Sequence, residues 1–265
     1  MLAYRRQPAA ARLRGVVRGY QERTGVLSGP GVVLPLTARP NAFIEIYTAT
    51  PYWADVGSGF AAAPDAVIVG PQTRRHTDLL MRGEICAFNI QFQAGGLNRL
   101  LGLPMKEMAD AAHAADQVGG ATLSELRAMV QAASGFEGRV AAAEAWLSMR
   151  MQDARPRDSV DQAADILRRM RGAVRVDVLA ERAGLGERQF HRRFTAQVGV
   201  PPKLYARIVR FDAMVADRAR EPSRNWAALA QEHGYFDQSH LQRDFHAFAG
   251  TAPGGFASPL PIIRA

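Results

Sequence analysis

The sequence predicts an α+β chain in two parts: a small β-barrel with helices attached, then an all-α region carrying two helix-turn-helix motifs. Three observations predict it. Short runs of period-two hydrophobicity between Val32 and Phe92 give way to helical periodicity after Gly95. Arg155-Pro156-Arg157-Asp158 is a polar break. Beyond it, Leu179-Ala-Glu-Arg-Ala-Gly184 followed by Phe190-His-Arg192-Arg-Phe194 is repeated in layout by Leu229-Ala-Gln-Glu-His-Gly234 followed by Leu241-Gln-Arg243-Asp-Phe245. Each copy is a short helix, a glycine turn and a longer helix with one apolar stripe, the arrangement that presents a helix to a DNA major groove.

Residues 1–25 hold six arginines and few apolar side chains, and are expected to form a flexible basic arm. Residues 26–155 are expected to be the barrel with a helical tail. Within it, Asn41 to Thr48, Ala66 to Gly70 and Phe88 to Gln93 read as strands, with Gly and Pro clusters at 29–31, 57–59 and 70–71 as turns. Leu97, Leu100 and Leu101 begin the helices. Pro104 suits a first helical position, and Thr122-Leu-Ser-Glu125 has the form of a capping box.

Residues 158–258 form the predicted all-α domain. Asp158 is placed to cap a helix to about Arg171, with Ala164, Ile166, Leu167 and Met170 for its core. Val178, Leu179 and Ala183 are assigned inward on the second helix. On the third, Phe190, Phe194 and Val198 share a buried stripe at spacing four. At 100° per residue, Arg188 and Arg192 then lie on the far side, with Gln189 and His191 flanking, while Arg193 falls nearer the core for an internal contact. In the second copy the turn is one residue longer, and Asp237 is a good N-cap. Leu241, Phe245 and Phe248 point inward, whereas Gln238, Ser239, Gln242 and Arg243 point outward. Arg takes O6 and N7 of guanine together, and Gln pairs with adenine. A helix from Lys203 to about Arg220 joins the copies and spans roughly 25 Å. Successive major grooves on one DNA face lie about 34 Å apart. Entry of both third helices would therefore bend the duplex, at an elastic cost of about 1–6 kcal/mol.

These residues resemble the AraC/XylS family of bacterial transcription regulators. Gly234-Tyr-x-Asp-Gln-Ser-His-Leu-x-Arg243-x-Phe245 followed by Gly250-x-x-Pro253 is similar to the family's second motif. Leu179-Ala-x-x-Ala-Gly-Leu, Phe190-x-Arg192-x-Phe194, Gly199 and Pro202 are similar to the first. The resemblance covers about Asp158 to Phe256. It implies seven helices, a monomeric unit on two adjacent major grooves, and base contacts at the outward residues named above. Three departures stand out: Gly186 replaces the usual Ser cap, Asp244 puts a negative charge on the second reading helix, and Ala257 replaces an Arg. The N-terminal part is similar to the cupin-like sensor domains fused to this family, through Val33-Leu34-Pro35, Gly70-Pro71 and Phe88-x-Ile-x-Phe92.

The sensor resemblance implies a small-molecule effector, with Tyr47, Trp53, Arg74 and His76 as candidate ligand residues for an anionic or aromatic compound. No metal and no cofactor are expected, since His76 and His113 are far apart in that half and Cys86 stands alone. The lone cysteine also argues against an N-terminal DNA-repair methyltransferase, leaving a non-specific architectural DNA binder as the other alternative. Expected partners are double-stranded DNA, the effector, RNA polymerase and a second copy of the chain. A formal charge of +8 and a pI near 10.3 favour an anionic partner. Only Lys106 and Lys203 among the 33 basic residues are lysine, so forked Arg chemistry prevails, although codon preference also enriches Arg. No apolar run approaches a membrane span, and the N-terminal arginines are followed by no apolar h-region, so no signal peptide and a cytoplasmic location are expected.

Overall fold

In the computed structural model, residues 2–75 and 77–256 are described, together with the backbone of residues 263 and 264. The N-terminal part runs β1 (Leu2–Pro8), β2 (Val17–Pro35), β3 (Phe43–Tyr47), β4 (Trp53–Asp55), β5 (Phe60–Ala62), β6 (Ala66–Val69), β7 (Asp78–Phe92), α1 (Gly96–Leu101), α2 (Met105–Met108), β8 (Ala112–Ala114), α3 (Ala115–Ala132) and α4 (Gly135–Arg150). The C-terminal part contains α5 (Ser159–Arg169), α6 (Val176–Arg182), α7 (Glu187–Val198), α8 (Pro202–Arg220), α9 (Trp226–Glu232), α10 (Gln238–Ala249), a 3₁₀ turn at Pro253–Gly255 and β9 (Ile263–Arg264).

The strands form one sheet in the order β8-β6-β3-β7-β2-β1-β9, with the β4–β5 hairpin attached to β7. Every pairing is antiparallel except that of β9 with β1. The expected barrel is thus a sheet whose pairing path stays open among the described residues. β2 and β7 slip register between Leu27 and Val32, where Leu27 pairs with Gly83, whose φ is 76°. A left-handed backbone there suits a residue without Cβ.

Alternation along β3 shows how the two faces are used. Ile44 and Ile46 join Phe88, Ile90, Trp146 and Leu147 in a core covered by α3 and α4. Phe43 and Tyr47 face the other way, into a second cluster with Leu34, Tyr52 and Met81. Apolar residues at period two on both sides make a sheet that must be covered twice.

Residues 1–25 are not a flexible arm. β1 pairs with β2 from Leu2↔Gly25 to Pro8↔Gly19. Leu13, Val16, Val17 and Tyr20 are buried in the first core. Arg5 and Arg12 sit on outer positions and meet Glu137 and Glu144, whereas Arg23 turns inward to Glu45. A few apolar anchors hold strands whose exposed positions carry Arg5 and Arg6.

The Thr122 capping box does not form either. α3 already begins at Ala115 and kinks at Gly120, so Thr122 lies inside the helix. Glu125 instead accepts from Trp146 Nε1 at 3.2 Å and Arg150 Nη2 at 3.1 Å. Pro104 is the N-cap of α2, one position earlier than expected.

The two parts dock on each other. Ala38 N–H donates to Phe248 O at 2.8 Å, at the end of α10. Gly199, after α7, lies so close to α2 that a Cβ there would sit 2.5 Å from Met105 O. The polar segment between α4 and α5 is pinned as well: Arg155 N–H donates to Arg99 O at 2.9 Å, and its guanidinium reaches Asp161 at 2.9 and 3.0 Å.

Candidate nucleic-acid interface

The first reading unit is assembled around α5. Asp158 caps it, accepting from Val160 N–H at 2.9 Å and Asp161 N–H at 3.1 Å, while the Asp161 side chain returns a bond to Asp158 N–H at 2.9 Å. Arg193 and Gln197 of α7 both donate to the other oxygen of Asp158 at 2.8 Å. Burial would raise this carboxyl, but Gln197, the Asp161 amide and Arg155 outweigh it and hold it below its ordinary value. Arg193 therefore makes the internal contact its position on the helix predicts, and it fixes α7 against α5.

Phe190, Phe194 and Val198 are buried, with Phe194 edge-on to Tyr205 at 5.5 Å. Two expected core positions are corrected. Val178 is 37% exposed and Met170 54% exposed. α6 turns Leu179 inward as expected, joined by Ala180 rather than Val178, and Met170 falls past the last turn of α5. With that stripe inside, Arg188, Gln189, His191 and Arg192 are all exposed. Among the described residues neither Arg188 nor Arg192 has an acidic partner.

The second unit has matching construction. Asn225 caps α9 through Ala227 N–H at 2.8 Å, and Asp237 caps α10 through His240 N–H at 2.6 Å. Leu241, Phe245 and Phe248 are buried, and Trp226 packs edge-on to Phe245 at 4.8 Å. Gln238, Ser239, Gln242 and Arg243 are exposed on the opposite face. Asp244 does not bring negative charge to that face. It is wholly buried, and Arg207 of α8 donates to its Oδ1 at 2.6 and 3.2 Å. The described residues of the C-terminal part hold six α-helices and the 3₁₀ turn, against the seven helices expected.

The described candidate ligand residues lie in separate surroundings. Tyr47 is buried and donates to Glu45 Oε1 at 2.9 Å, Trp53 lies under the Arg82 guanidinium at 4.2 Å, and Arg74 is exposed in a loop. His76 lies outside the described residues. A cavity of about 370 Å³ exists elsewhere, between the second face of the sheet and α8. Tyr47, Trp53 and Arg74 are not among its lining residues. Arg18, Arg23 and Arg39 enter from the sheet side and Asp212 from α8, with Leu34, Phe43, Leu79 and Val215 as apolar wall. Arg23 is engaged by Glu45 at 3.7 Å and the Tyr52 hydroxyl at 3.3 Å. Arg18 and Arg39 have no carboxylate at ion-pairing distance among the described residues. Burial and the nearby Arg23 press the Arg39 guanidinium below its ordinary value, and burial lifts the Asp212 carboxyl despite Arg39 and Arg18. Sequence reading missed this group. Its signal was a charge on an otherwise inward stripe: Glu45 between Phe43 and Tyr47, and Asp212 between Ile208 and Val215.

Residues 179–258 match the family described as a helix-turn-helix domain. This region is an AraC-type helix-turn-helix domain. The match to the AraC-type domain spans α6 to beyond the 3₁₀ turn and so takes in both reading helices. Among solved structures, apo ToxT from Vibrio cholerae is similar at 9% identity, covering 94% of this chain and 97% of that chain, with a TM-score of 0.49. Unsaturated-fatty-acid-bound ToxT from the same organism shows 9% identity, 100% and 97% coverage, and a TM-score of 0.47. The AraC-like transcriptional activator CuxR shows 10% identity, 81% and 86% coverage, and a TM-score of 0.21. A comparison with curated proteins finds no match. Among the described residues, no helix is long and apolar enough to cross a membrane.

Proposed function

We propose that the protein is a sequence-specific DNA-binding regulator of transcription that places α7 and α10 in neighbouring major grooves. The observation that carries this is the duplicated unit with its inward stripe buried and its Arg- and Gln-bearing face free. In this reading Arg188, Gln189, His191 and Arg192 serve one half-site, and Gln238, Ser239, Gln242 and Arg243 the other. No catalytic step is involved, a cytoplasmic location follows, and RNA polymerase and a second copy of the chain are the protein partners. Selection of bound sequences from a random DNA pool with the purified full chain tests it. Enrichment of two half-sites supports a specific regulator. A pool that stays random means non-specific binding.

Arg192→Ala is expected to weaken the selected site by about 1–3 kcal/mol and relax preference at one base pair. An unaltered selection profile would remove Arg192 from the reading set.

Response to a ligand is the second part of the proposal. The cavity beside α8 falls at the small end of the range for small-molecule sites. Its unpaired Arg18 and Arg39 favour an anion, and its apolar wall favours a hydrocarbon portion. Medium-chain monocarboxylates are expected to raise the melting temperature, by about 2.7 kcal/mol of stabilisation at a hundredfold excess over Kd, while the matching alcohols do not. Arg39→Gln should abolish the rise. Equal effects of acid and alcohol would end the anion assignment.

A further inference from the structure

We infer that Phe236 is a specificity-determining residue that packs on the methyl group of a thymine in the second half-site. The inference rests on the DNA-binding reading above and goes beyond its polar contact set. Phe236 is 92% exposed, whereas the next most exposed large apolar residues, Val26 and Val56, reach 61%. Its place in the duplicated unit is equally distinctive. The two turns agree at first: Leu185 N–H donates to Ala180 O at 3.0 Å, and Tyr235 N–H to Ala230 O at 2.9 Å. The first copy then goes directly to its N-cap at Gly186, while the second inserts Phe236 before its N-cap at Asp237. Phe236 thus has no counterpart in the first unit. It stands immediately before α10, the end of a recognition helix that meets base edges.

Its surroundings fit nucleic acid. A surface depression is lined by Arg207, Phe236, Asp237, His240, Arg243 and Asp244. The two carboxylates are already engaged: Asp237 caps α10 and Asp244 holds Arg207. What remains is a phenyl ring beside two guanidiniums and an imidazole. Guanidiniums meet phosphate, and the apolar group on a base edge in the major groove is the thymine C5-methyl. Arg207, 44% exposed and held from beneath by Asp244, is placed to position a phosphate next to the ring.

The test compares thymine with deoxyuridine, which lacks only the methyl group. Each thymine of the second half-site of a selected duplex is replaced in turn, and Kd is measured for the full-length protein, Phe236→Ala and Phe236→Leu. One position should cost the native protein about fourfold, the factor for burying one methyl group. Phe236→Ala should be indifferent to the change at that position, and Phe236→Leu should keep part of it. The salt dependence of binding should be the same in all three, since no charge is altered. The inference is overturned if no thymine position is sensitive, or if Phe236→Ala keeps the native thymine preference. Unchanged DNA binding with lost transcription in a purified reaction would assign the ring to RNA polymerase instead. A native protein that selects no duplex would overturn the sequence-specific reading itself, and this inference with it.

Discussion

Raising monovalent salt from about 50 to 200 mM is expected to weaken DNA binding by about 10³-fold, the loss for about six neutralised phosphates. The expectation follows from how the charge is arranged. The chain carries a formal +8, yet many of its arginines are occupied internally, as Arg193 is by Asp158 and Arg207 by Asp244. Arg188, Arg192 and Arg243 stay exposed without an acid, as does Lys203 at the start of α8. In the proposed reading, two such units on one duplex would reach phosphates on either side of two grooves, and each contact would release condensed counterions. The logarithm of affinity measured against the logarithm of salt should give a slope near −5. A flat line would mean that docking is not led by phosphate contacts.

Phe194→Ala is expected to cost about 3–5 kcal/mol in unfolding free energy. Phe194 is fully buried and packs against Phe190 at 5.6 Å and Tyr205 at 5.5 Å, so it links α7 to α8 as well as to its own stripe. Domains of this size hold only about 5–15 kcal/mol in total, so most of the margin disappears and DNA binding with it. Urea unfolding reports the change. The reading helix would have a different inward face if the midpoint stayed where it was. Thr195→Ala on the same helix is the control: its hydroxyl only returns to His191 O at 2.8 Å, and its loss should be small.

The C-terminal part was legible because each helix has one inward stripe. Once Phe190, Phe194 and Val198 are placed inside, helical geometry decides where Arg188 and Arg192 must be. Asp158 and Asp237 could be read as caps because a cap is a local feature. Asp244 could not be read, because its partner Arg207 belongs to another helix 37 residues away. The first strand was illegible for a related reason. Its pairing partner lies across a turn, and two arginines, a glutamine and a proline interrupt its own apolar pattern. The cavity between the sheet and α8 joins Arg18, Arg39 and Asp212 from distant parts of the chain, and no spacing within one segment announces it.

The contacts at Ala38 and Met105 have a mechanical consequence. The N-terminal part grips each reading helix at its trailing end, α10 through Phe248 and α7 through Gly199. The readers' mutual tilt is therefore held from outside as well as by α8, as a jig holds two tools. In the proposed DNA-binding reading, anything that shifts the jig would change the groove spacing the pair could straddle, without touching a residue proposed to meet a base.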